Sequence, residues 1–229
     1  MNDIAVIDYG MGNLRSVSKA LEQIAPDARV LVTSDPHIVH HAQRVVFPGQ
    51  GAMPDCMREM EARGLHQAIV ESAKTKPFLG ICIGMQMLFQ HSEEGNVDGV
   101  GLLAGNVVRF APAAMVSASG EKLKVPHMGW NEVQQNQAHP LWAGIANESR
   151  FYFVHSYYCQ PAAPDCIVGV THYPFAFASA VARYNIFAVQ FHPEKSAAAG
   201  LALLSNFVRW DGGIKSSGVH ATVTHAARR

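Results

Sequence analysis

Short apolar runs alternate with amphipathic segments through the first third of this chain, and this alternation restricts the fold more than any other feature. Residues 4–7 form an apolar run, and residues 14–24 then repeat apolar side chains every three or four positions, as one face of a helix does. The pattern continues with apolar runs at 30–32, 44–47 and 77–81 and a helical pattern over 54–75. Alternating strands and helices predict a parallel sheet with helices on both faces.

Local helix-start signals agree with this alternation. Asn13 precedes the first helical pattern, where its side chain can cap a helix. Asp35 and Pro36 follow the second apolar run, and proline is favoured in the first helical turn. The sequence therefore predicts helices that begin directly after short strands.

The second half is richer in β-forming residues than in helical patterns. We therefore predict an α/β fold with a mixed, largely parallel central sheet flanked by helices and a smaller antiparallel portion in the second half. Residues 1–212 are expected to form one domain. Residues 213–229 lose apolar periodicity and are expected to be a flexible tail. The runs behind the antiparallel portion are 107–110, 151–154, 167–170, 178–182 and 187–191, followed by a helix at 197–210.

Composition excludes several classes of function. The 18 basic and 18 acidic residues cancel, which argues against nucleic acid or an anionic membrane as the main partner. The N-terminus lacks the basic start of a signal peptide, and no apolar run approaches the roughly 20 residues needed to span a bilayer. The four cysteines show no CxxC spacing. We expect a reduced, cytoplasmic protein.

The stretch GICIGMQ places Cys82 between two glycines, directly after an apolar strand. A strand over 78–81 and a helix over 83–90 would put Cys82 on the tight turn between them, in the geometry of a nucleophile elbow. The helix N-terminus favours a thiolate, and the N–H of Ile83 would face an oxyanion. Taken alone, the motif is equally compatible with a buried cysteine in a glycine-rich turn.

A base and its orienting carboxylate are predicted in the stretch VQFHPE. His192 follows an apolar strand, so it should lie at the same sheet edge as Cys82. Glu194 is two residues further on and projects to the same side of an extended backbone. Alone, a His-Pro-Glu turn is more often solvated; together with Cys82 it indicates a Cys-His-Glu triad.

Other motifs carry less weight. The turn Gly49-Gln50-Gly51 follows the third strand and can offer a second oxyanion donor, or be an ordinary turn. Gly10 to Asn13 lacks the third glycine of a dinucleotide fingerprint. Cys56, Cys159 and Cys166 are expected to be core residues. No cofactor and no metal site are expected; His37, His40 and His41 share one helix face but lack a matching carboxylate or cysteine.

GICIGMQ and FHPE, in this order, resemble the motifs of the class I (triad) glutamine amidotransferases, a flavodoxin-like family. Three further stretches, DYGMGNLRSV, KVPHMGWN and FYFVHSY, are similar more narrowly to the glutaminase subunits of imidazole glycerol phosphate synthase. The resemblance covers about residues 4–210.

The resemblance implies that Cys82, activated by His192 and oriented by Glu194, attacks the side-chain amide of glutamine and forms a thioester. It implies an oxyanion strand at Gly49, Gln50 and Gly51. It also implies that the amino-acid end of the substrate is held by Gln86, His155, Ser156 and Tyr157. One departure is Gln50, which stands where the family pattern leads us to expect valine.

The resemblance also implies a partner. Ammonia passes in this family to a (β/α)8 cyclase subunit in a heterodimer, which makes imidazole glycerol phosphate and an aminoimidazole carboxamide ribotide in histidine biosynthesis. The surface expected to face that cyclase contains Pro126, His127, Met128, Trp130 and Tyr152.

Three alternatives remain from the sequence. The chain could be a glutaminase for another acceptor, as in anthranilate or aminodeoxychorismate synthesis, although such proteins should lack PHMGWN. It could be a cysteine hydrolase or peptidase with the same triad. A non-catalytic adaptor would have no need of all three groups.

Overall fold

One mixed sheet connects strands from both halves of the chain. The structure is a computed structural model that describes residues 2–116 and 120–213. The first half contains β1 (Asn2–Ile7), α1 (Leu14–Ile24), β2 (Ala28–Thr33), α2 (Pro36–His41), β3 (Arg44–Gly49), α3 (Met53–Ala62), α4 (His66–Thr75), β4 (Phe78–Cys82) and α5 (Ile83–Gln86). The remainder contains β5 (Phe89–Ser92), β6 (Val97–Asp98), β7 (Leu103–Arg109), β8 (His127–Gln135), β9 (Ser149–His155), β10 (Tyr157–Pro161), β11 (Ile167–His172), β12 (Ala176–Arg183), β13 (Ile186–Val189) and α6 (Ala197–Arg209).

The sheet begins with a parallel block and continues as mainly antiparallel strands. Strands β2, β1, β3, β4 and β13 lie side by side and are parallel. Strand β12 then pairs antiparallel to β13, and the sheet extends through β10 and β7, with β11, β8 and β9 branching from β12. The predicted α/β class, with a mixed sheet flanked by helices and an antiparallel portion in the second half, is confirmed.

The core lies on both faces of the parallel block, which explains why its strands read as continuous apolar runs. Every residue of β4 and β13 is buried, as are residues 4–7 of β1. Helix α1 packs Val17 and Leu21 against this core. Burial on both faces leaves the carboxyl ends of the strands as the place where a site can open.

Helix boundaries follow the predicted signals in part. Asp35 caps α2 by accepting the backbone N–H of His37 at 2.9 Å. Asn13 occupies the N-cap position of α1, but its side chain makes no capping hydrogen bond. The helix expected over 54–75 is two helices, α3 and α4, because the chain turns at Gly64 with φ +65°.

The helix predicted over 83–90 was wrong in length, since α5 ends at Gln86. The chain then leaves helical geometry because backbone groups of Met87 and Phe89 bond to a neighbouring segment, with Val100 N donating to Met87 O at 2.7 Å. Strands β5, β6, β8 and β10 were not predicted.

No helix among the described residues is long and apolar enough to cross a membrane. Gly213, the first residue of the predicted tail, accepts the indole N–H of Trp210 at 2.8 Å. Residues 214–229 of that tail lie outside the described residues.

Candidate active site

Cys82 ends β4 and directly precedes α5, on the turn that the glycine-flanked motif predicted. Its backbone has φ 55° and ψ −114°, which residues with a side chain rarely adopt and which costs about 1 to 3 kcal/mol. Gly84 permits this turn, because a Cβ there would overlap the carbonyl oxygen of Phe47 in β3. The elbow therefore depends on β3 lying tightly against α5.

The register of the parallel block brings His192 to Cys82. Val189 of β13 pairs with Ile81 of β4, so the chain beyond Val189 emerges beside Cys82. The backbone N–H of His192 donates to Tyr152 O at 2.9 Å, and Ser196 Oγ donates to His192 O at 2.6 Å. The backbone of His192 is thus held from two sides.

His192 and Glu194 form a buried hydrogen-bonded pair. His192 Nδ1 donates to Glu194 Oε1 at 2.8 Å, and their side chains are 5% and 1% exposed. Because an ionised carboxylate only accepts, Nδ1 carries the proton. Residues Pro193–Lys195 form a 3₁₀ turn, so a turn brings the pair together and not the extended backbone that we predicted.

The second imidazole nitrogen faces the thiol. His192 Nε2 is buried, and the His192 ring interacts with the sulfur of Cys82 as well as with Glu194. Burial lowers the pKa of His192. The negative charges of the Cys82 thiolate and the Glu194 carboxylate outweigh this effect and raise the pKa of His192 to about 10. The imidazole is therefore protonated at neutral pH when the sulfur is a thiolate.

Gln190 is a site residue that the sequence reasoning missed. Its Nε2 lies 3.8 Å from Cys82 Sγ, and its Oε1 accepts from Gln86 Nε2 at 2.9 Å. Gln86 Nε2 also donates to the carbonyl of Tyr157 at 3.1 Å. The available signal was a glutamine at the end of an apolar strand, two residues before His192.

A cavity of about 250 Å³ opens over Cys82. The four residues predicted to hold the substrate line it, as do three of the four predicted oxyanion residues. Glu94, which the sequence reasoning also missed, supplies a carboxylate to the same wall. The lining residues are Gln50, Gly51, Cys82, Ile83, Gln86, Glu94, Pro126, Val154, His155, Ser156, Tyr157 and His192.

Gly49 does not line the cavity but fixes the turn that does. It pairs with Cys82 across β3 and β4, and a Cβ on it would overlap the hydroxyl of Tyr9. That hydroxyl donates to Pro48 O at 2.9 Å. Gly51 has φ +108°, which favours glycine.

The residues predicted to face a partner separate into two groups. Met128 and Trp130 are 61% and 45% exposed, Pro126 is exposed, and Tyr152 is half-buried with its ring 6.3 Å from that of Trp130. His127 is the exception: its side chain is 3% exposed and lies between the rings of Phe153 and Tyr173.

The remaining candidate residues form no second site. The rings of His37 and His41 lie 4.1 Å apart, and the described part of the chain holds no cluster of three or more metal-ligating side chains. Burial raises the pKa of the Cys56 thiol to about 11 and also raises the pKa values of Cys159 and Cys166. Such thiols are poor nucleophiles.

Comparison with known proteins identifies the family. The model for glutamine amidotransferase class-I matches residues 5–210. The chain belongs to the class-I glutamine amidotransferase family. Two relatives, from Aromatoleum aromaticum and Thiobacillus denitrificans, are each 64% identical and named imidazole glycerol phosphate synthase subunit HisH. The first match covers 92% of this chain and 99% of the relative, and the second covers 94% of both. The family resemblance predicted from the motifs is confirmed, including its narrower form.

Solved structures show the same fold at low identity. A glutamine amidotransferase is similar with a TM-score of 0.67 and 14% identity, over 90% of this chain and 97% of that one. A second, from Thermotoga maritima, has a TM-score of 0.57 and 16% identity, over 86% and 78% of the two chains.

Proposed function

We propose that this chain is the glutaminase subunit of an imidazole glycerol phosphate synthase, with residues 1–212 as its amidotransferase domain. The observation that carries this proposal is that Cys82 and His192 both line the cavity and that His192 Nδ1 is bonded to the buried Glu194 Oε1 at 2.8 Å. The names of the relatives from Aromatoleum aromaticum and Thiobacillus denitrificans support the choice of synthase.

The reaction proceeds through a thioester. The Cys82 thiolate attacks the side-chain amide carbon of glutamine, and the C=O electron pair moves onto oxygen. As the tetrahedral intermediate collapses, His192 gives its Nε2 proton to the amide nitrogen, which leaves as ammonia. His192 then accepts a proton from water, whose oxygen attacks the γ-glutamyl thioester. Glutamate leaves and the thiolate is restored.

Backbone N–H groups stabilise the oxyanion. The turn of Gly49, Gln50 and Gly51 and the N–H of Ile83 border the carbonyl position above Cys82, and removing one such donor typically costs about a hundredfold or more in rate. Gln50, in place of an aliphatic residue, is one of the residues that line the cavity.

The amino-acid end of glutamine lies against the part of the cavity wall that residues 86 and 155–157 form. Gln86, Ser156 and Tyr157 supply polar groups there, and His155 shapes the wall through its hydrogen bond to the Tyr157 carbonyl. Glu94 is held by the Met53 N–H, which donates to Oε2 at 2.8 Å, and its negative charge suits the α-ammonium group of the substrate.

The partner is a (β/α)8 cyclase subunit, bound as a heterodimer. The exposed Pro126, Met128 and Trp130, together with the half-buried Tyr152, form an apolar surface next to the cavity, of the type that protein interfaces bury. Ammonia passes across this surface to the cyclase, which makes imidazole glycerol phosphate and aminoimidazole carboxamide ribotide. The location is the cytoplasm, where free thiols stay reduced.

The experiment mixes the full chain with a cyclase subunit and its nucleotide substrate and measures glutamate and imidazole glycerol phosphate. The intact chain should release glutamate, and Cys82→Ala should abolish glutamine-dependent synthesis while ammonium salts still support it. Cys159→Ala, at another buried thiol, serves as the matched control and should retain glutamine-dependent synthesis. Glutamate release by Cys82→Ala would contradict the proposal.

A second measurement tests the dependence on the partner. Free ammonia is lost to solvent, so we expect the isolated chain to be slow and the cyclase with its ligand to accelerate it. Equal glutaminase rates with and without the cyclase would exclude this dependence.

A glutamine analogue that labels Cys82 and is displaced by glutamine separates a glutaminase from a cysteine peptidase.

A further inference from the structure

A buried histidine pair connects the cavity wall to strand β8. His127 and His155 are directly opposite each other on the antiparallel strands β8 and β9. His155 lines the cavity, whereas His127 is not among its lining residues. The two rings are joined by a hydrogen bond of 2.9 Å between His127 Nδ1 and His155 Nε2.

The direction of each hydrogen bond follows from its end point. His155 Nδ1 lies 2.7 Å from the carbonyl oxygen of Tyr157, which can only accept, so Nδ1 carries the proton. Burial lowers the pKa of His155 to about 3, so the ring is neutral and its Nε2 must accept. The proton in the bond between the rings therefore belongs to His127 Nδ1.

The hydrogen bonds on the far side of His127 also have a defined direction. Burial lowers the pKa of His127 to about 4, so its Nε2 is an acceptor, and Asn131 Nδ2 donates to it at 3.2 Å. Asn131 Nδ2 also donates to His172 O at 3.0 Å, and Asn131 Oδ1 accepts the N–H of Glu132 at 2.8 Å. Each ring nitrogen of the two histidines therefore has a defined role as donor or acceptor.

On the side of His155, the series of hydrogen bonds extends to the sulfur of Cys82. The carbonyl of Tyr157 accepts from both His155 Nδ1 and Gln86 Nε2. Gln86 in turn bonds to Gln190, whose Nε2 lies beside Cys82 Sγ. His127 itself cannot rotate freely, since its ring is stacked at 4.0 Å on Tyr173 and at 4.9 Å on Phe153.

We propose that His127 is a positioning residue for substrate binding: its Nδ1–H holds His155, and through His155 the Tyr157 carbonyl and Gln86, in the geometry that receives glutamine. This role rests on the proposed glutaminase function. Without the donor on His127, His155 Nε2 is left buried and unpaired, so the ring turns and the wall of residues 155–157 loses its fixed shape.

The test compares His127→Phe with His127→Asn in the full chain, assayed with the cyclase subunit and its nucleotide. Phenylalanine keeps the stacked ring and removes the donor, whereas asparagine can place its amide N–H near the position of Nδ1. We expect His127→Phe to raise KM for glutamine about tenfold, as the loss of one buried hydrogen bond predicts, with little change in kcat. His127→Asn should recover most of the wild-type KM.

A matched control separates positioning from stability. His139 is another buried histidine whose pKa burial lowers to about 4, and its ring packs on Phe187 and Trp210 away from the cavity. His139→Phe should lower the unfolding temperature while leaving KM unchanged. The rate at which iodoacetamide alkylates Cys82, which does not use the amino-acid pocket, should be the same in His127→Phe and the wild type.

Two outcomes would overturn the role of His127. One is a wild-type KM in His127→Phe; the other is a joint fall of kcat, alkylation rate and unfolding temperature that asparagine does not repair. If His127→Phe does not fold, His127→Asn against His127→Gln makes the same comparison, because the longer amide cannot take the Nδ1 position. Absence of glutamate release by the wild-type complex would instead contradict the proposed function.

Discussion

The side-chain amide of Gln190 lies 3.8 Å from the sulfur of Cys82 while its carbonyl oxygen is bonded to Gln86. The amide N–H therefore points at the sulfur, because the other end of the amide is already committed. A donor in this position stabilises negative charge on the thiolate. Gln190 thus links Gln86, in the wall of the cavity, to the sulfur of Cys82.

Replacing Gln190 by leucine tests this relationship. Gln190→Leu keeps the volume, removes the donor to Cys82 and leaves the buried amide of Gln86 with one partner fewer. We expect kcat/KM for glutamine to fall about tenfold or more, which corresponds to one lost buried hydrogen bond. Steady-state glutamate release measures it. Gln160→Leu, at an exposed glutamine of β10, is the control, and an equal effect of both changes would remove the special role of Gln190.

Removing the charge of Glu194 should change the protonation of His192. Burial alone lowers the pKa of His192, and Cys82 and Glu194 raise it to about 10. In Glu194→Gln the carboxylate contribution is lost, so the pKa of His192 falls and the imidazole deprotonates at lower pH than in the wild type. We expect kcat to fall about a hundredfold or more.

The measurement is the pH profile of Cys82 alkylation, with the His192 ring followed by NMR. In the wild type the protonated imidazole should persist until the pH approaches 10, and in Glu194→Gln it should disappear at lower pH. Glu22→Gln, on the exposed side of α1, should leave the profile unchanged. Coincident profiles for Glu194→Gln and the wild type would show that the carboxylate does not act on His192.

Gly84 should tolerate no side chain. A Cβ there would meet the Phe47 carbonyl, which belongs to the backbone of a buried strand and cannot move aside. We expect Gly84→Ala to lower the free energy of unfolding by about 3 kcal/mol or more and to abolish activity. Urea unfolding followed by tryptophan fluorescence measures the first effect. Gly213→Ala, where a Cβ makes ordinary contact with Asp211, should be neutral, and a neutral Gly84→Ala would disprove the tight packing.

Acid should destabilise the protein through its buried neutral histidines. Burial lowers the pKa of His139 from 6.5 to about 4 in the folded state. The unfolded chain therefore binds more protons as the pH falls, so stability is lost from about pH 6.5 downward, by about 2 kcal/mol at about pH 5 for this residue. His139→Asn can still accept the N–H of Leu141 and does not titrate.

Urea unfolding at neutral and acidic pH checks this sign. The wild type should lose more stability on acidification than His139→Asn, with the difference near 2 kcal/mol. Gln160→Leu changes an exposed residue that does not titrate and should leave the pH dependence as in the wild type. Equal losses in the wild type and His139→Asn would show that His139 titrates in the folded protein as it does in the unfolded chain.

The sequence predicted those parts of the site whose signal is local. Cys82 is flanked by glycines after an apolar strand, and His192 and Glu194 follow another such strand. The residues come together because these two parallel strands end at the same edge of the sheet. Glu94 carries no local signal, and the signal of Gln190 is only its position at the end of an apolar strand. Gln190 reaches the sulfur because β13 inserts beside β4, and Glu94 reaches the cavity because the chain after α5 turns back into the sheet.

The fold was predicted best where burial on two faces imposes apolar runs, as in β1, β3 and β4. It was predicted least well in the segment after Cys82, where the apolar residues 85, 87 and 88 suit a helix equally well. Long-range hydrogen bonds, such as that from Val100 N to Met87 O, decide the conformation there. The buried position of His127 also could not be read locally, since Tyr173 and Phe153 come from other strands.

The position of β13 in the middle of the sheet bears on how the protein matures on the ribosome. Gln190 follows Cys82 by 108 positions, and His192 comes later still, so synthesis of the cysteine long precedes synthesis of its base. Throughout that interval the nascent chain carries an elbow without a proton acceptor. With His192 as the proposed base, ammonia production begins only after the last central strand has been translated and inserted.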